Sequence, residues 1–253
     1  MRKGTTSSGL TMSLGIAALV TLGATVALGL TLPRTVEQAE YSRLIAIHPG
    51  IAWTAYVACT ITALASLLWL WPRTRSITWD LIAGSSAEIA TLFTALMLVT
   101  GSIWGRPTWG VWWVWDARLT LSALMLALLL GYLALRRVPA EPDLRAKRSA
   151  MAALLALIVV PVNHFAVTWW RTLHQGRSLD ITPADSLDGA FLGAMAIGFL
   201  AMTLVYAWLM VHRVRVARME EQRDDDALAA AIEERKREAV PARAAVGAGD
   251  SVA

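Results

Sequence analysis

Four histidines and one run of tryptophans carry most of the chemistry available to this chain. His48 stands in LIAIHPGIAW, where Pro49 suits a first helical position and leaves the imidazole at the rim of an apolar stretch. His174 stands in TWWRTLHQG, His164 in PVNHFAV, and His212 beside Arg213. Trp104 to Asp116 reads WGRPTWGVWWVWD, five tryptophans within thirteen residues. A neutral imidazole ligates metals, including iron held in a macrocycle, and an indole gains free energy only when its apolar face packs on protein, lipid or a flat ligand. The residue types therefore favour binding. Cys59 is the single cysteine, so there is no disulfide framework, no thiol pair and no C-x-x-C-H attachment site. No G-x-x-x-x-G-K-[ST] phosphate loop is present, so the chain carries no nucleotide-binding signature of that kind.

The elements that position these residues are membrane helices. Of the 253 residues 56% are hydrophobic, and mean hydropathy is +0.51. Six apolar stretches recur: Leu10 to Leu32, Ile45 to Trp71, Leu81 to Ile103, Ala117 to Leu135, Ser149 to Val167 and Gly189 to Val211. At about 1.5 Å of rise per residue, roughly twenty residues cross a hydrocarbon core of about 30 Å, and helices satisfy their own backbone there. The fold class expected is an all-α integral membrane protein with six transmembrane helices. The first stretch follows Arg2 and Lys3 but runs too long for a signal h-region, so it reads as a retained helix.

Basic residues flanking the spans set the orientation. With the N-terminus inside, the inner segments hold twelve, among them Arg73, Arg75, Arg136 and Arg213, and the outer segments hold six: Arg34, Arg43, Arg106, Arg118, Arg171 and Arg177. Short cytoplasmic loops are enriched in Lys and Arg, so both termini are expected in the cytoplasm and the tryptophan loop outside. The net charge of +4 follows from this topology and points to no nucleic acid. Two domains are expected: residues 1–212 as the six-helix unit with its loop at 104–116, and 213–253 as a charged cytoplasmic tail, helical at first and disordered at its Pro-, Gly- and Ala-rich end.

On that topology three of the four histidines share the tryptophan side. Imidazoles from different helices can clamp a planar macrocycle while indoles cover it, so a haem site at the outer boundary is the sharpest reading of the residues. Bland readings stand beside it. Trp53, Trp69, Trp71 and Trp208, taken singly, are accounted for by the interfacial aromatic belt, which accounts less well for five in one loop. An isolated helix-end histidine is satisfied by interfacial hydrogen bonds, and both roles stay open for these. Asp116 reads as the N-cap of the fourth helix, compatible with shaping a site. Arg106 and Arg118 read as headgroup or loop contacts, or as partners of a haem propionate. Glu88 falls within the third span, where an ionisable group is a functional suspect by default and a protonated or water-facing carboxyl is the alternative.

WGRPTWGVWWVWDARLT resembles the WWD signature of membrane haem-handling proteins, and VTWWRTLHQG with IAIHPG resembles the histidine segments of one branch, the haem exporter protein C (CcmC) family of cytochrome c maturation. The likeness runs from the second helix to the sixth. It implies that His48 and His174 are the axial ligands of haem iron, and that Trp104, Trp109, Trp112, Trp113, Trp115 and Asp116 form a haem-contacting platform. It further implies haem b as transient cargo, presented on the periplasmic side of the bacterial inner membrane to the haem chaperone CcmE. The expected companions are the transporter subunits CcmA and CcmB and the small protein CcmD. No catalytic residue is expected, because the reading is binding and handover. Two other classes share features: a haem lyase or cytochrome c synthase, whose members are generally larger, and an electron-transfer subunit of the cytochrome b kind, whose histidines would lie deep in facing helices.

Overall fold

A computed structural model of the chain describes residues 8–36, 38–174 and 189–249. Arg2, Lys3 and Arg177, used above for orientation, lie outside the described residues. Six α-helices follow in order: α1 (Ser8–Thr31), α2 (His48–Leu70), α3 (Ile77–Trp109), α4 (Ala117–Arg137), α5 (Pro142–Trp169) and α6 (Gly189–Gly249), with a 3-10 turn at Glu40–Ala46 before α2. Each contains a stretch long and apolar enough to cross a membrane. The protein is an all-helical, multi-pass membrane protein.

The helices begin and end where local chemistry allows, which for α3, α5 and α6 is well beyond the apolar stretches and for α2 is just inside them. α5 starts at Pro142, seven residues before Ser149, because Pro suits its first turn and Asp143 complements the free amides there. α3 has 33 residues, about 50 Å at the usual rise, so it outruns a hydrocarbon core of about 30 Å. It carries Pro107 within its last turn and stops at Gly110, whose φ of 75° lies in the left-handed region that terminates helices. The Gly110 amide donates to the Arg106 carbonyl at 3.0 Å. Trp104 to Trp109 is therefore helix, and the expected thirteen-residue loop shrinks to Gly110–Asp116.

The chain divides into two compact units at His212. In the first, α2 and α3 are the most enclosed helices, and the core between them and α4, α5 and α6 is built on small side chains. Ala55, Ala58, Ala90 and Ala156 are fully buried, with Phe93, Met125, Leu129 and Tyr206 filling the space they leave. Lipid tails supply no hydrophobic drive between helices, so close contact of small residues and interhelical hydrogen bonds does that work. Ser86 on α3 donates to the Ala58 carbonyl of α2 at 2.8 Å, and Tyr206 of α6 is 2.8 Å from Ser86. Because the Ser86 proton is committed to Ala58, Tyr206 is the donor of the second bond. Gly50 lies so close to α6 that an added Cβ would stand 2.6 Å from the Gly198 carbonyl oxygen.

At the end of the bundle away from the Trp104 to Asp116 run, Asp80 opens α3 against the last turn of α4. Arg136 donates both guanidinium arms to it at 2.6 and 2.9 Å, and Arg145 of α5 lies 3.8 Å away. Asp80 is buried, so this bidentate pair joins three helices in a low-dielectric setting. Glu88 is half-buried on α3, between this pair and the tryptophan end.

The second unit, from Arg213, is partly exposed at first and exposed throughout from Gln222 to Arg237, with local pairs such as Lys236 to Glu233 at 2.8 Å. Its backbone is helical as far as Gly249, through Pro241.

Candidate functional site

His48 is the first residue of α2, with Pro49 behind it supplying a preset φ and needing no amide partner. Its side chain turns inward and is 9% exposed. Thr100 of α3 meets the imidazole Nδ1 at 2.8 Å, and Trp104, one turn further along α3, packs edge-on with ring centroids 5.5 Å apart. Gly101 makes room for the ring, since a Cβ there would lie 3.2 Å from the His48 Cε1. The Trp104 indole N–H donates to the Gln38 side-chain oxygen at 2.9 Å. Gln38 stands in a tight turn closed by the Ala39 amide on the Thr35 carbonyl at 2.9 Å.

The opposite wall begins at Asp116. One carboxylate oxygen accepts from the Leu119 amide at 2.8 Å, capping α4, and the other accepts from the Leu173 amide at 3.2 Å. The Leu173 carbonyl accepts from the Trp109 indole at 3.1 Å. Both backbone groups of Leu173 are thus held by the WWD segment, which fixes the chain immediately before His174. Trp109 folds back over Gly105, four residues earlier on α3, so closely that a Cβ there would collide with the indole. Arg118, in the first turn of α4, points its guanidinium at the Asn163 carbonyl of α5 at 3.4 Å. The fully buried Asn163 side chain in turn donates to Ser122 at 2.9 Å, and Ser122 donates to the Arg118 carbonyl at 2.8 Å.

These walls border an open cavity. His48, His174, Trp104, Trp109, Trp113 and Arg118 line it, six of the residues singled out by sequence. The Trp113 indole nitrogen is buried and makes no hydrogen bond among the described residues. The remaining four do not line it. Trp112 and Trp115 are 60% and 76% exposed, Arg106 stacks on Trp112 with its guanidinium carbon 5.8 Å from the ring centroid, and Asp116 acts through Leu119 and Leu173. Here the expected platform separates into a wall, an outward-facing aromatic rim and a capping residue. The cause is the Gly110 turn, after which the chain is no longer helical and successive side chains face different ways. His164 is exposed on α5 beside Phe165, and His212 packs on Trp208 of α6; neither borders the cavity.

Sequence reasoning missed Gln38, Thr100 and Gly101. Gly101 and Gly105 form a four-residue glycine spacing that marks close approach on one helix face, a signal visible in TGSIWG. Gln38 and Thr100 carried no comparable signal, because their roles depend on which helix faces meet.

The profile of the family described as "Heme exporter protein C" (CcmC) matches residues 3–229. The chain is 35% identical over 207 residues to Heme exporter protein C of Haemophilus influenzae, covering 80% of this chain and 82% of the relative. It is 32% identical over 196 residues to Heme exporter protein C of Escherichia coli K12, covering 76% and 77% respectively. A putative cytochrome c biosynthesis ccmC-like mitochondrial protein of Marchantia polymorpha is 35% identical over 147 residues, covering 58% of this chain and 61% of that protein. A match across most of the bundle, carrying both histidine segments and the tryptophan run, places the chain in the Heme exporter protein C family.

Proposed function

We propose that the protein binds haem b as transient cargo in the cavity between α2, α3 and α4, with His48 and His174 as axial ligands of the iron, and hands it on for cytochrome c maturation. The observation that carries this reading is the presence of two imidazoles, from segments far apart in sequence, in the wall of one cavity together with three indoles and an arginine. Among the described residues there is no group of three or more His, Cys, Asp or Glu that would hold a bare metal ion. Two nitrogen donors are what iron already held by a macrocycle takes up. Trp104, Trp109 and Trp113 offer apolar surface to the ring. Arg118 offers a cation to a propionate, and the Trp113 N–H, which has no partner among the described residues, a further donor for a carboxylate or carbonyl oxygen.

Residues 1–212 form the haem-handling unit in this reading. Both termini lie in the cytoplasm, and the cavity opens on the periplasmic side of the inner membrane, consistent with the excess of Lys and Arg on the inner segments. The exposed Trp112 and Trp115, with Arg106 on the former, flank the site as the surface offered to the receiving chaperone CcmE. CcmA, CcmB and CcmD complete the assembly, and ATP hydrolysis belongs to a partner, because this chain has no nucleotide loop. Its residues bind, orient and release, with no bond made or broken by the protein. The tail from Arg213 is a charged cytoplasmic extension.

Absorption spectra of the purified protein co-expressed with CcmE, oxidised and reduced, test the reading. The parent is expected to show a histidine-ligated haem that is altered in His48→Ala and His174→Ala and lost in the double variant, with folding intact. A folded double variant with the parent spectrum would refute the ligand assignment.

A further inference from the structure

We infer that Thr100 selects the tautomer of His48 that can bind iron, a positioning role that rests on the ligand reading above. The Thr100 oxygen lies 2.7 Å from the Leu96 carbonyl oxygen and 2.8 Å from the His48 Nδ1. Two oxygens 2.7 Å apart repel unless a proton lies between them, and a carbonyl brings none, so the single hydroxyl proton of Thr100 is committed to Leu96. Towards His48 the Thr100 oxygen has only lone pairs to offer. Nδ1 must then carry the imidazole proton, and Nε2 keeps its lone pair. That is the nitrogen a metal requires, with the other ring nitrogen anchored by a hydrogen bond.

The ring has little freedom to escape this arrangement. Trp104 packs against it edge-on, with an interplanar angle of 78°, and the missing side chain at Gly101 leaves space sized to the imidazole edge. Trp104 is itself fixed by Gln38. One α3 segment, Thr100 to Trp104, thus sets the tautomer and the ring plane of His48 together. His48 stands at the start of its helix, where no preceding turn of α2 would constrain it.

The test uses the full chain labelled with ¹⁵N-histidine, and hemin as the probe. In the ligand-free parent, the ring resonances that disappear in His48→Ala are expected to report an Nδ1–H, Nε2-unprotonated imidazole. Thr100→Val keeps the shape and removes the acceptor; it should mix in the Nε2–H tautomer, weaken hemin binding on the order of 10- to 100-fold and shift the haem absorption bands. Thr100→Ser should restore all three. Should the valine variant fail to fold, Thr100→Ala carries the same expectation. An Nε2–H tautomer in the parent, or a folded Thr100→Val with parental tautomer and hemin affinity, overturns the inference while leaving the ligand assignment standing. A His48→Ala protein that binds hemin with the parental spectrum overturns the ligand assignment instead, and the resonances alone then decide whether Thr100 sets the ring.

Discussion

Asp116 performs two separable tasks, and Asp116→Ser divides them. A serine at this position keeps an oxygen suited to capping α4 on Leu119, since Ser and Asp are nearly equivalent N-caps. It lacks the second oxygen that accepts from Leu173 across the site. A hydrogen bond of this kind contributes about 1 kcal/mol net, and somewhat more when the acceptor is charged. With 1.4 kcal/mol per tenfold, the segment before His174 should open about five to ten times more often in the serine variant. Asp116→Ala removes the cap as well, costing about 1 kcal/mol more at the start of α4. Hydrogen exchange read by mass spectrometry reports the two ends independently. Asp116→Ser is expected to lose protection in peptides covering Leu173 and to keep it in those covering Leu119, whereas Asp116→Ala loses both. Hemin affinity, on the reading proposed above, falls in the serine variant by at most about five- to tenfold, the limit reached if the open state dominates. Unchanged protection at Leu173 in Asp116→Ser would refute the idea that this carboxylate holds the His174 segment.

Other predictions concern the scaffold. Asp80→Ala strands Arg136 in a buried site and should cost about 3–5 kcal/mol, while Asp80→Leu with Arg136→Met should recover most of it; equal melting temperatures for the single and double variants would contradict the buried-pair reading. Gly50→Ala pushes a methyl against the Gly198 carbonyl and should lower stability by about 1–3 kcal/mol, which a thermal melt in detergent would register; no change would mean that α2 and α6 separate without penalty. On the proposed orientation, a cysteine at Val111 should react with an impermeant maleimide in intact spheroplasts and one at Arg215 only after lysis, and the reverse pattern would invert the topology.

The grouping of residues around the cavity was partly legible in the chain, for reasons that differ residue by residue. Tryptophans crowded between two apolar stretches are improbable except as a binding surface, and His48 was exposed as a candidate by its HPG start to a helix. Trp112 and Trp115, however, share the sequence signal of Trp109 and Trp113 but face outward, because beyond the left-handed glycine at position 110 the chain is no longer helical and neighbouring side chains diverge. Glu88 drew suspicion as an intramembrane carboxyl, yet the ionic contact that joins three helices belongs to Asp80, whose partners lie 56 and 65 residues further along. Such pairings leave no local periodicity to read.

The sequence by itself determined the class of the protein: six apolar stretches of spanning length admit only helices in a bilayer, since each must satisfy its own backbone. It also determined which residue types were available for haem, and on which side of the bundle most of them fall. Only the tertiary structure decided which of them share a cavity, and which small or polar residues hold them there. Thr100, Gly101 and Gln38 matter through contact with His48 and Trp104 across helix faces, and a chain read one residue at a time does not state how its helices are rotated against each other. That rotation follows from the close packing of Ala55, Ala58 and Ala90, and of Gly50 against Gly198, a property of facing surfaces that no single segment contains.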